Sequence, residues 1–70
     1  MPLTPHQIRA GRALLNWSRP KLAKKTGVSL STITRAETAP ARPVTLRAIQ
    51  AVLEQEGVEF IPNGAKLRPK

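Results

Sequence analysis

The sequence predicts a mainly α domain: four short helices forming a compact body, followed by a short C-terminal β-strand or hairpin. Three observations predict it. Apolar residues recur at helical spacing between Ile8 and Leu53. Helix-starting residues (Thr4, Ser18, Ser29) and helix-stopping glycines (Gly27, Gly57) punctuate that stretch at short intervals. Past Gly57 the period changes to two, in Val58-Glu59-Phe60-Ile61. The chain thus divides into a helical domain over residues 1–57 and a β segment over residues 58–70.

The first helix is expected from about Pro5 to Asn16. Thr4 suits the N-cap, Pro5 the first helical position, and Gln7 completes a capping box. Ile8, Ala10, Leu14 and Leu15 supply its apolar face. The second helix follows the N-cap Ser18 and runs to about Thr26. Pro20 is tolerated in its first turn, where its missing N–H would have had no partner. Leu22 and Ala23 face inward, and Gly27 ends the helix. Ser29 caps a third helix over about Leu30–Thr38. Its interior, Ser31-Thr32-Ile33-Thr34-Arg35, is poor in strong helix formers, so it depends on tertiary support anchored by Ile33. Ala39–Pro43 reads as a loop. A fourth helix spans about Val44–Glu56, with Leu46, Ile49, Val52 and Leu53 as its apolar stripe.

In the β segment, Pro62-Asn63-Gly64 is a turn signal and Ala65–Arg68 a second short strand. An isolated hairpin is marginal in water, so it is expected to need a partner, such as the same strands of a second subunit. A frayed tail with Phe60 and Ile61 resting on the fourth helix is the alternative.

Seventy residues make one small domain, whose core supplies at most about 3–5 kcal/mol. With no cysteine and one histidine, neither disulfide nor structural metal is expected, and no cofactor. Oligomerisation is then the expected source of further stability. No apolar run approaches the about 20 residues that span a bilayer, and Met1-Pro2-Leu3-Thr4-Pro5 does not read as a secretory signal. The expected location is cytoplasmic, with no membrane partner.

Charge is more telling. Twelve Lys and Arg face four Glu, for a formal net charge of +8. Arg9, Arg12, Arg19, Lys21, Lys24, Lys25 and Arg35 all precede the first acid, Glu37, and the other acids gather between Glu54 and Glu59. A basic excess confined to one part of a small domain points to a polyanionic partner, though a generally basic soluble protein would read alike. The only histidine, His6, falls in an exposed first turn and reads as solvated. With one His, no Cys and no Asp, no nucleophile–base pair or acid–base dyad is visible, so an enzyme is not expected.

Residues 19–36 carry the most specific pattern. Ala23 is small enough for a steep helix crossing, Gly27 can take the positive φ of a tight turn, and Val28 and Ile33 plug both helices onto one core. This is helix-turn-helix spacing. The stretch from Trp17 to Ile33 resembles the phage lambda/434 repressor and Cro-like helix-turn-helix family, also called the XRE family. The resemblance covers about residues 4–57. The tail from Gly57 to Ile61 is similar to small bacterial regulators of that family with a C-terminal strand.

The resemblance implies a double-stranded DNA partner and a recognition helix over residues 29–38 lying in the major groove. Matching base-reading positions are Ser29, Leu30, Ser31, Thr34 and Arg35. Arg35 suits the O6/N7 edge of guanine and Leu30 a thymine methyl. Phosphate contacts are implied for Ser18, Arg19, Thr32, Thr38 and Arg42. Ser31, Thr32 and Thr34 read equally as a solvated helix face, and Lys21, Lys24 and Lys25 more so. Arg12 and Glu37 match a semi-buried ion pair that orients the third helix. Val58, Phe60, Ile61 and Leu67 are expected to form a dimer contact.

Two departures stand out: Ala36 replaces a large apolar residue, and Thr38-Ala39-Pro40 replaces a glycine turn. Trp17 is expected to pack among the first, second and fourth helices. The functional expectation is a homodimeric regulator, a repressor, on a palindromic operator in a bacterial or phage-derived, nucleoid-associated setting. The alternative is an antitoxin or similar module that also holds a protein partner.

Overall fold

Each helix begins where a hydroxyl or a proline meets its open N–H groups. The structure, a computed structural model, describes residues 3–69. Helix α1 spans Pro5–Leu14, α2 Arg19–Thr26, α3 Leu30–Ala36 and α4 Pro43–Gln55; strands β1 (Val58–Ile61) and β2 (Gly64–Leu67) follow. Thr4, Ser18 and Ser29 accept the backbone N–H of Gln7, Lys21 and Thr32, which leaves fewer donors open in each first turn. Arg42 stands at the N-cap of α4 without a capping bond, and Pro43 starts that helix one residue earlier than its apolar stripe predicts.

Two helices are shorter than expected. Helix α1 ends at Leu14 because Asn16 turns left-handed, with φ 56°. Helix α3 ends at Ala36, since the Thr38 and Ala39 N–H groups both bond back to the Arg35 carbonyl and close a turn. Gly27 and Gly57, at φ 74° and 99°, end α2 and follow α4 as predicted.

The core joins Ile8, Trp17, Leu22, Ile33, Leu46, Ile49, Leu53 and Val58. Ala36 is also buried, so the small residue fills rather than exposes the seam under α3. Leu3, unmarked by any pattern, is buried with them. The inward face of α1 is the predicted one in part: Ile8 is buried and Leu15 packs against the core, but Gln7 and Gly11 are buried too, while Leu14 is exposed. Gly11 permits this, since a Cβ there would lie 3.2 Å from Leu53 Cδ1 and 3.4 Å from Phe60 Cε1.

The β segment is an antiparallel hairpin with Val58 opposite Leu67 and Ile61 opposite Gly64. Asn63, at φ 68°, takes the left-handed position after Pro62 that a tight turn needs. The hairpin packs on α1 and α4 of its own chain. The Gln7 side-chain amide donates to the Ile61 carbonyl at 2.8 Å, and the Arg68 N–H to the Gly57 carbonyl at 2.8 Å. A helical surface within the chain thus supports the strands. Val58 is fully buried, so its side chain is occupied within the subunit, and Phe60 lies half-buried on Gly11. Ile61 and Leu67 remain exposed.

Candidate nucleic-acid interface

Helix α3 divides its side chains cleanly. Ile33 and Ala36 point into the core, and Glu37 at its C-cap is 0% exposed. Leu30, Ser31 and Arg35 are exposed and Thr34 half-buried on the opposite face. Ser29 is exposed at the cap, and its hydroxyl pairs with that of Thr32 at 2.8 Å. Leu30, at 47% exposed, is an apolar residue held in water by the fold, which suits contact with an apolar group such as a thymine methyl.

A cleft of about 380 Å³ opens beside this face, lined by Thr32, Arg35, Ala36, Pro40, Ala41, Arg42 and Thr45. The structure thus brings together two of the predicted phosphate residues, Thr32 and Arg42, with the predicted base reader Arg35. Ser18 and Arg19 stand apart from them, at the start of α2. The Ser18 oxygen accepts the Lys21 N–H, which leaves its own hydroxyl hydrogen free to donate. Thr38 is exposed at the end of α3. Its hydroxyl donates to the Thr34 or Arg35 carbonyl and its N–H to the Arg35 carbonyl, so a phosphate contact would take the hydroxyl hydrogen in exchange for that carbonyl.

Behind α3 lies a charged knot. Arg12 Nε donates to Glu37 Oε2 at 2.8 Å and Arg12 Nη2 to Oε1 at 3.1 Å, a two-pronged pair. Arg12 Nη1 also holds the Trp17 carbonyl at 3.0 Å. Arg19 Nε donates to the same Oε1 at 3.1 Å, and Arg9 donates to the Glu37 main-chain carbonyl. Residues of α1 and α2 therefore grip the end of α3. No buried side-chain polar atom among the described residues lacks a partner.

This knot also shapes the outer field. Glu37 is the only acid before Glu54, and it is sealed inside. Every exposed charge from α1 through α3 is therefore positive. A model of the helix-turn-helix family matches residues 8–60. The chain belongs to the lambda-repressor-like (XRE) helix-turn-helix family. Neither the curated proteins nor the solved structures gave a match.

This helix-turn-helix protein is accordingly a DNA-binding regulator, of a family that acts by binding rather than by catalysis. Among the described residues no helix is long and apolar enough to cross a membrane. Sequence reasoning missed Arg9 and missed Arg19 as the second side-chain partner of Glu37. Arg9 had a signal: it stands three residues before Arg12, so both lie on one helix face. The Arg19–Glu37 contact spans elements and left no local trace. Trp17 packs in the core as expected, with the Lys21 ammonium 5.4 Å from its ring centre.

Proposed function

We propose that this protein is a sequence-specific regulator of transcription that represses by occupying a palindromic operator as a homodimer. The observation that carries the reading is the exposed α3 face of Leu30, Ser31, Thr34 and Arg35, set among cations with its one neighbouring acid buried. In this reading Arg35 makes two hydrogen bonds to a guanine edge, and Leu30 meets a thymine methyl. Ser29, Ser31 and Thr34 supply hydroxyls to neighbouring bases. Ser18, Arg19, Thr32 and Arg42 hold phosphates and set the register.

Two-fold pairing would space the half-sites about one helical turn apart, roughly 34–36 Å. Ile61 and Leu67, both exposed on the hairpin, and the half-buried Phe60 offer side chains for that contact. The same residues suit a different protein partner, as in an antitoxin. The place of action is the compartment that holds the DNA, the cytoplasm of a bacterium.

The test is selection of duplexes from a random pool by the purified protein, followed by fluorescence anisotropy on the enriched sequences. Enrichment of an inverted repeat is expected, with a complex of two protein chains per duplex by light scattering. Equal affinity for selected and random DNA would end the reading. A stable complex with a neighbouring gene product, in place of a homodimer, would favour the antitoxin alternative.

A further inference from the structure

The two arginines on the Glu37 carboxylate are not equivalent. Arg12 commits all three of its nitrogens: Nε and Nη2 to the carboxylate, and Nη1 to the Trp17 carbonyl. Its side chain is 22% exposed. Arg19 commits Nε alone, to Glu37 Oε1 at 3.1 Å, and its side chain is 39% exposed. Its two terminal nitrogens find no acceptor among the described residues. A guanidinium is flat and rigid, so fixing Nε on one side fixes where the other donors point. Arg19 is also the first residue of α2, beside the free hydroxyl hydrogen of Ser18.

We infer that Glu37 is a positioning residue for Arg19: the carboxylate that ends α3 aims the terminal N–H groups of Arg19 outward, as a preset fork for a backbone phosphate. The inference deepens the DNA-binding reading and rests on it. One buried side chain then sets both the seat of the base-reading helix and the direction of a phosphate contact on the preceding helix. Free arginine side chains lose rotamer freedom when they dock, and a fork already held loses less. Lysine cannot replace it. An ammonium is a point donor at the end of a flexible stem, without a rigid second edge.

The experiment compares wild type, R19K, R19A and E37Q on a short random-sequence duplex over a range of salt. All are first checked for folding by circular dichroism. R19K is expected to bind as weakly as R19A, each about tenfold below wild type, the scale of one charge-assisted hydrogen bond. The log–log salt slope should fall by about 0.9 in R19A, one cationic phosphate contact fewer, and by less in R19K, which keeps its charge. In the free wild-type protein, the Arg19 Nε–H resonance should be protected from exchange with water.

If E37Q folds, R19A in its background should cost less than in wild type, because the fork is no longer aimed. If E37Q does not fold, the two Arg19 variants and the Nε–H resonance decide the matter. R19K binding within about twofold of wild type would overturn the inference, as would a rapidly exchanging Arg19 Nε–H in the free protein. A wild type with no affinity for any duplex would remove the DNA reading itself, and this inference with it.

Discussion

The two ends of this small domain are built on opposite terms. Around α1, α4 and the hairpin, apolar surfaces meet directly. Leu53 and Phe60 close on Gly11, with Ile8 and Val58 in the same core, and shape holds the contact. Around α3, apolar anchoring comes down to Ile33 and Ala36, and the rest is hydrogen bonds to Glu37. Helix α3 has seven residues, mostly of weak helix propensity, too short to persist alone. The comparison teaches that a helix whose outer face is kept polar for recognition has few apolar residues left to hold it. A buried carboxylate bound by arginines does that holding.

The largest expected effect therefore lies at the knot. Glu37→Gln removes the charge shared by Arg12 and Arg19, and should cost about 3 kcal/mol, the lower end for a broken buried pair because both arginines keep some water. Urea denaturation measures it, and a loss under about 1 kcal/mol would mean that packing alone seats α3.

Next comes Ile33→Ala, with a loss of about 2 kcal/mol, the lower end for truncating a buried isoleucine. It should reduce hydrogen-exchange protection in α3 before the hairpin, and simultaneous loss would erase the contrast between the regions. Arg35→Ala should leave stability within about 0.5 kcal/mol of wild type, yet remove about 1–3 kcal/mol of discrimination at one base pair. Binding profiles on operator variants read this directly. An equal weakening on every sequence would reassign Arg35 to the phosphates.

The smallest effect is expected at Gly11→Ala. Gained helix propensity, about 1 kcal/mol, offsets most of the crowding of a Cβ at 3.2 Å from Leu53. Thermal unfolding should move down by no more than about 1 kcal/mol equivalent, with DNA affinity unchanged. A larger drop would show the scaffold end to be the less forgiving of the two.

Much of this architecture was legible in sequence because its signals are local. Ser18, Ser29, Gly27 and Gly57 act within one turn of themselves, and all stand where the pattern puts them. The exposed α3 face followed from the spacing around Ile33. What was not legible depends on distant residues. Leu14 looks apolar enough for the core, yet Gly11 lets Leu53 and Phe60 approach and turns the helix so that Gln7 is buried instead. Val58 reads as an adhesive strand residue, and only tertiary packing shows that the helices already cover it. The Thr38 hydroxyl looks available in sequence, but a main-chain carbonyl one turn back claims it.

One side chain ties the first helix to the last strands. Gln7 accepts the Thr4 N–H with its oxygen and donates to the Ile61 carbonyl with its nitrogen. A side-chain amide carries an acceptor and a donor on one carbon, so it can do both at once. The opening turn of α1 and the tip of the hairpin are thus latched by a single clasp, although 54 positions separate Gln7 from Ile61 along the chain. Fraying from either side must undo the same clasp, so the two margins of the domain open as one cooperative unit and not as independent loose threads.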